Sequence, residues 1–276
     1  MSLTFTSLNS GSNGNCYYIG NDSEAILIDA GISCRETEKR MKRLGLDIKK
    51  LRAIFISHEH KDHICGMAML SRKYQLPVYI TEGTHRQCGI MLEKQLIFRF
   101  SESAAVKIGG LTVHAYKKLH DAGDPHSFTV SSASVRVGVF TDIGSVCKKT
   151  IQLFGKCHAA FLESNYDEDM LMNGSYPYIL KKRISDGNGH LSNDEALELF
   201  VKYKPGFMSH LILSHLSKNN NTPEIVENLF TAHANGVKII VASRYEETRL
   251  YTIGANTDVI QRKKPTSKKH EQLSLF

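Results

Sequence analysis

The string Ser57-His58-Glu59-His60-Lys61-Asp62-His63 holds four potential metal donors, His58, His60, Asp62 and His63, within six residues. It directly follows the apolar run 51–57 (LRAIFIS), whose length and composition predict a buried strand. A loop leaving a strand can place His58 and His60 on the same side. The next turn, entering a helix, can aim Asp62 and His63 at a second point about 3.5–4 Å away, the usual spacing of paired metals. A single cation has no use for so many donors. Two cations need a shared anion and further ligands from elsewhere in the chain, so the fold must bring distant strand ends to one place.

The rest of the sequence supplies such strand ends. Strands are predicted at 3–8, 16–19, 25–28, 78–81, 106–108, 111–116, 128–131, 135–141, 159–163, 210–214 and 237–242, with an edge strand at 250–253. Helices are predicted from the Ser33/Glu36 capping signal to Leu44, over 63–74, 82–92 and 145–154, from the Ser192/Glu195 signal to Tyr203, and from Thr222-Pro223 to near Gly236. This alternation predicts a mixed α/β architecture. Asp29, Asp142 and His215 each fall at the end of a predicted strand, and His120 follows one.

The central string resembles the HxHxDH motif of the metallo-β-lactamase fold superfamily, and the other motifs of that family occur in order. Asp29 in ILIDAG matches the first, a supporting aspartate. His120 in HDAGDPHSF fits the third, with His114 and His126 as rivals. Asp142 in FTDIG matches the fourth, and His215 in LSHLS the fifth. The resemblance covers about residues 3–243. It implies an α/β (α+β) fold, a four-layer αββα sandwich with two divalent metal ions along one edge of its sheets. One metal would take His58, His60, His120 and Asp142. The other would take Asp62, His63, His215 and Asp142. A water or hydroxide would bridge them and attack the substrate, with Asp62 accepting its proton. Flavo-di-iron members carry Glu where His60 stands, so His60 favours hydrolysis over redox chemistry. Such His/Asp sites accept zinc, manganese or iron.

Between Asp142 and His215 the chain is too short for the inserted domain of β-CASP nucleases, but it holds two further motifs. Glu163 in FLESN and His190 in GHLSNDEA look like the Glu and His of tRNase Z, where the histidine can protonate the leaving oxygen. Segments such as SLNSGSNGNCYYI, SHEHKDHICG, LESNYD and LSHLSKNNN resemble the YycJ/WalJ-type bacterial exonuclease branch. That resemblance implies 5′-to-3′ DNA exonuclease activity in repair or replication. The loop with Ser10, Ser12, Asn13 and Asn15 is either a phosphate contact or simply a hairpin. Asp124 and His126 have no assigned role. Lys181, Lys182 and Arg183 line either a DNA path or a solvated face. Three rival readings are an RNA-processing nuclease similar to tRNase Z, a glyoxalase II- or lactonase-like small-substrate hydrolase, and a clamp-recruited DNA-binding adaptor. The full ligand set argues against the adaptor, and the Glu163/His190 pair against the small-substrate enzyme.

The chain carries a formal net charge of +7, and residues 262–276 hold +4 of it. They form an expected basic, flexible tail on a domain spanning 1–261. The tail ends Gln272-Leu273-Ser274-Leu275-Phe276, which resembles the pentapeptide that binds the bacterial sliding clamp. Leu273, Leu275 and Phe276 offer an apolar anchor and Gln272 a hydrogen bond at its rim. DNA, with RNA as the alternative, and the clamp are the expected partners. The scattered cysteines form no CxxC pair, no apolar run reaches a membrane span of roughly 18 residues, and the N-terminus lacks signal-peptide character. A cytoplasmic protein with reduced thiols is expected.

Overall fold

Alternation along the strands sorts the apolar side chains into three buried layers. The computed structural model describes residues 2–254. The readings placed on 262–276, the clamp-like motif included, lie outside the described residues. In chain order the first half runs β1 (Ser2–Asn9), β2 (Cys16–Gly20), β3 (Ala25–Ile28), α1 (Cys34–Arg43), β4 (Leu51–Phe55), α2 (Lys61–Ile64), α3 (Met67–Tyr74), β5 (Val78–Tyr79), α4 (Glu82–Gln87) and β6 (Ile97–Phe98). The second runs β7 (Val106–Ile108), β8 (Leu111–Lys117), β9 (His126–Ser132), β10 (Val135–Phe140), α5 (Lys148–Phe154), β11 (Ala159–Glu163), α6 (Glu168–Asn173), α7 (Tyr178–Ser185), α8 (Asn193–Tyr203), β12 (His210–Ser214), α9 (Pro223–Thr231) and β13 (Lys238–Val241). β14 (Tyr251–Gly254) returns to pair with β1.

The described strands form two seven-stranded sheets, ordered β14-β1-β2-β3-β4-β5-β6 and β13-β12-β11-β10-β9-β8-β7. Successive side chains point to opposite faces. On β11, Ala159 and Phe161 enter the layer between the sheets, while Ala160 and Leu162 meet Phe154, Leu199, Phe200 and Phe230 from α5, α8 and α9. On β2, Tyr17 and Ile19 face the other sheet, while Cys16 and Tyr18 join Met41, Met67 and Leu70 of α1 and α3. Helices therefore cover both outer faces and the order of layers is αββα. Across the middle, Phe161 meets Phe5 edge-on, with centroids 6.0 Å apart, and Tyr17 at 4.9 Å.

β3 to β6 and β10 to β13 are parallel runs. Parallel strands send their carboxyl ends to one edge, where ligands usually bind in α/β sheets. The backbone bends sharply there. Asp29 (φ 61°), Asp142 (φ 53°) and His215 (φ 57°) are left-handed non-glycine residues within two positions of a strand end. Such conformations cost about 1–3 kcal/mol each and persist where the surroundings hold them.

Several helix boundaries differ from expectation. The helix expected over 63–74 is two, α2 and α3, broken at Gly66. A Cβ on Gly66 would lie 1.9 Å from the Ile32 carbonyl oxygen, so the chain turns where only glycine fits. The helix expected over 82–92 stops at Gln87, and that expected to reach Gly236 stops at Thr231. The helix expected from Ser145 starts at Lys148, where the Cys147 sulfur accepts a hydrogen bond from the Thr150 N–H. Helices α6 and α7 and the two-residue β6 were not anticipated. No helix of the described residues is long and apolar enough to cross a membrane.

Candidate metal centre

The loop after β4 begins at Ser57, and Asp29 of the loop after β3 anchors it. The Asp29 carboxylate accepts from the Ser57 N–H and the Ser57 hydroxyl, each at 2.8 Å. It also meets His63 Nδ1 at 2.8 Å. With Nδ1 committed to Asp29, His63 presents Nε2 to the cleft, the arrangement that fixes a metal-binding imidazole.

Two groups of donors converge in the cleft. In the first, His58 Nε2 and His120 Nε2 lie 3.1 and 3.3 Å from His60 Nδ1. In the second, Asp62 Oδ2 lies 3.6 Å from His63 Nε2 and 3.5 Å from His215 Nε2. Asp142 stands between them. Its Oδ2 is 3.2 Å from His63 Nε2, and its Oδ1 is 3.4 Å from His215 Nδ1 and 3.9 Å from His120 Nε2. Each group has the spacing of a set that could hold a cation. The rivals of His120 lie elsewhere. His126 packs edge-on against Phe100 and its Nδ1 donates to the Asp124 carbonyl oxygen. His114 is exposed on β8. Asp124 pairs with Lys117.

Charge and unsatisfied atoms fit divalent cations. Asp142 Oδ2 and His215 Nε2 are buried and make no hydrogen bond among the described residues. Burial holds the His58 imidazolium well below its usual range and pushes His120 down to about 4, so both are neutral donors. For His63 and His215 burial acts downward but loses. The Asp142, Asp29 and Asp62 charges hold His63 well above its ordinary value. The Asp142 charge, the nearby Asp62 carboxylate and the hydrogen bond to Glu163 bring His215 up to about 10. Without metal, protons on these rings balance the buried carboxylates, and cation binding would displace them. Lys118, buried beside the centre, donates its Nζ–H to the Thr141 carbonyl oxygen at 2.7 Å.

Glu163 and His190 lie against the same centre, forming with Asp142 and His215 a further set with the spacing of a cation site. His190 Nδ1 lies 2.7 Å from Glu163 Oε1, and the ring keeps some solvent access. The same Oε1 is 3.0 Å from His215 Nδ1, while Oε2 accepts from the Ile143 N–H at 2.7 Å. Burial alone would raise the Glu163 carboxyl. The His190 charge and the bonds from His190 and His215 overcome it and bring it to about 2.

The loop between β1 and β2 divides by burial. Ser10 is buried, and its hydroxyl accepts from the His215 N–H at 2.8 Å. Asn15 is buried, and its Nδ2 donates to Asp62 Oδ2 at 3.1 Å. Both therefore support site residues from behind. Ser12 and Asn13 are exposed at the rim. Sequence reading missed the support from Ser10, Asn15 and Lys118, and the link from Glu163 to His215. It also missed Asn165, whose Nδ2 donates to the His215 carbonyl oxygen at 2.7 Å. Lys181 and Arg183 of α7 are already engaged, with the Met172 carbonyl and Asp121 respectively, and Lys182 is exposed.

Residues 24–216 match the family described as the beta-lactamase superfamily domain. The exodeoxyribonuclease YycJ of Bacillus anthracis is 34% identical over 230 residues, covering 82% of this chain and 86% of that protein. The exodeoxyribonuclease WalJ of Streptococcus pneumoniae is 29% identical over 228 residues, 80% of this chain and 84% of that one. Among solved structures, the metallo-β-lactamase fold protein YhfI of Bacillus subtilis superposes with a TM-score of 0.70 at 16% identity, covering 91% of this chain and all of its own. The matched family, the YycJ identity over most of both chains and the shared αββα fold agree: this chain belongs to the beta-lactamase superfamily, in the group that contains the YycJ and WalJ exodeoxyribonucleases.

Proposed function

We propose that this protein is a two-metal 5′-to-3′ DNA exonuclease of repair or replication. The observation that carries the reading is the pair of donor groups sharing Asp142, faced by the hydrogen-bonded Glu163–His190 pair. The similarity to the exodeoxyribonucleases YycJ and WalJ supports DNA as the substrate, and the 5′-to-3′ direction rests on the resemblance of the sequence motifs alone. His58, His60 and His120 would hold one divalent cation, and Asp62, His63 and His215 the other, with Asp142 shared. Zinc, manganese and iron all suit these donors. When bound, two such cations supply Lewis-acid chemistry, acidifying water and stabilising charge on a phosphodiester.

The chain's own residues do the rest. Asp29 fixes the His63 ring, and Asn15 orients Asp62, the acceptor for the attacking water's proton. Glu163 engages His190 at Nδ1, leaving Nε2 to deliver a proton to the departing oxygen. End-labelled DNA and RNA, single- and double-stranded, incubated with Mn²⁺ or Zn²⁺, test this. Stepwise degradation of DNA from the 5′ end is expected, and is lost with a chelator or in Asp62→Ala. Degradation of RNA alone would replace this reading with RNA processing, and no cleavage of either would remove the nuclease.

The proposal extends to recruitment. Gln272, Leu273, Leu275 and Phe276 would seat the protein on the sliding clamp, while the basic residues before them give salt-sensitive contact with DNA. Deleting 272–276 should abolish clamp capture in a pull-down and leave cleavage of free oligonucleotides within about twofold, since none of these residues is among the proposed metal ligands or the Glu163–His190 pair. Clamp capture unchanged by the deletion would end the recruitment idea.

A further inference from the structure

Arg244, in the segment between β13 and β14, differs from the other well-packed arginine near it. Arg40 is buried with all its polar neighbours in place. It pairs with Glu36 at 2.8 Å and donates to the Leu8 carbonyl, Asn9 Oδ1 and the Tyr245 carbonyl. Arg244 is half-buried, and no carboxylate among the described residues lies within 4.0 Å of its guanidinium. One amino group donates to the Leu216 carbonyl oxygen at 2.6 Å, and the remaining N–H donors keep no described protein acceptor. Burial also pulls this guanidinium below its ordinary range. A cation left short of solvent and without a counter-charge is costly in isolation.

Its location gives the missing anion a place. Leu216 directly follows His215. The amino nitrogen that donates to Leu216 also lies against Gly11, where a Cβ would come within 3.1 Å of it. Gly11 has φ +141°, a conformation side chains rarely adopt. The Gly11 N–H donates to Asn15 Oδ1 at 3.0 Å, and Asn15 in turn donates to Asp62. Asn13 Nδ2 donates to the Arg244 carbonyl oxygen at 2.9 Å. Ser12, next to Gly11, and Lys218, two residues after Leu216, are exposed. The guanidinium is thus held by the residue that follows His215 and lies against a loop glycine that two hydrogen bonds connect to Asp62. A planar fork of donors matches the paired oxygens of a phosphate or a carboxylate, and the substrate proposed above supplies phosphates.

We infer that Arg244, seated on Gly11 and the Leu216 carbonyl, binds a second phosphate of the nucleic-acid strand, next to the one cleaved. This rests on the nuclease reading above and adds a register to it: the strand is gripped at two neighbouring phosphates. That second phosphate is either a terminal 5′-phosphate or an internal phosphodiester.

Binding of fluorescent DNA oligonucleotides, followed by anisotropy in chelator so that no cleavage occurs, separates these. One series carries 5′-phosphate or 5′-hydroxyl. Another carries a single uncharged methylphosphonate moved along the first linkages. Wild type should bind about tenfold more weakly when the phosphate facing Arg244 is neutralised or absent, as expected for one charge-assisted contact. In Arg244→Met that discrimination should fall to within about twofold, and Arg244→Lys, with charge but no fork, should be intermediate. Discrimination is a ratio within each protein, so a general loss of folding does not imitate it. Wild-type discrimination retained in Arg244→Met, or none in wild type at any position, overturns the inference. Cleavage recorded in parallel with metal tests the nuclease reading separately, because it can fail while the binding discrimination stands.

Discussion

Asp142→Asn should slow phosphodiester cleavage by about 10³-fold or more, roughly 4 kcal/mol of barrier, and cut bound metal to about half the wild-type content or less. Asp142 is the one carboxylate placed between both donor groups, 3.2 Å from His63 Nε2 and 3.9 Å from His120 Nε2. Burial works against its ionisation, but the His215 and His63 charges win and hold its carboxyl well below the usual range. It is therefore charged in the folded protein at neutral pH. On the two-metal proposal, losing that charge would remove a ligand from both cations at once. Asparagine is the right replacement because φ at this position is 53°, which asparagine tolerates and alanine resists. A loss in the asparagine variant reports charge rather than backbone strain. Turnover and metal content, measured together after metal loading, check this. A variant within tenfold of wild type and fully loaded would show that Asp142 is not shared between two ions.

The centre was largely legible because its chemistry is local. Six residues carry four donors, and the other candidates stand within a few positions of apolar runs that could only be strands. The choice among His114, His120 and His126 needed the fold. Spacing places all three near β8 and β9, and only the path of the loop brings His120 Nε2 to 3.3 Å from His60. Helices α6 and α7 left a weaker trace. α7 buries none of its residues, so it has no apolar stripe for a pattern to reveal. β6 is two residues long and is held by its pairing with β5, a tertiary fact. The break at Gly66 depends on a carbonyl more than thirty positions away. The supporting roles of Ser10 and Asn15 were hidden for a related reason. A Ser/Asn/Gly-rich loop reads as exposed, yet here half of its polar groups turn inward to bond His215 and Asp62.

Glu163→Gln and His190→Ala should differ in kind. On the proposed mechanism His190→Ala would remove the proton donor. It should slow DNA cleavage by about 10²–10⁴-fold, the usual range for a general acid. On a nitrophenyl phosphodiester, whose leaving group departs without a proton, the loss should stay within about tenfold by the same argument. Glu163 does more than hold His190. Its Oε1 serves His190 Nδ1 at 2.7 Å and His215 Nδ1 at 3.0 Å, and its Oε2 takes the N–H of Ile143, the residue after Asp142. A glutamine has one acceptor oxygen. If that oxygen faces the two rings, its NH₂ meets the Ile143 N–H, donor against donor. If it is flipped, the NH₂ meets two ring N–H groups instead. Either way a buried charge-assisted hydrogen bond is lost, worth about 1.5–3 kcal/mol, and His215 or the Asp142 loop loses its orientation. Glu163→Gln should therefore slow cleavage of both substrates by comparable factors and weaken metal retention. Steady-state rates on the two substrates and metal content after dialysis decide it. If Glu163→Gln spares the nitrophenyl diester as His190→Ala does, Glu163 acts through His190 alone. If His190→Ala loses both substrates equally, His190 is not the acid.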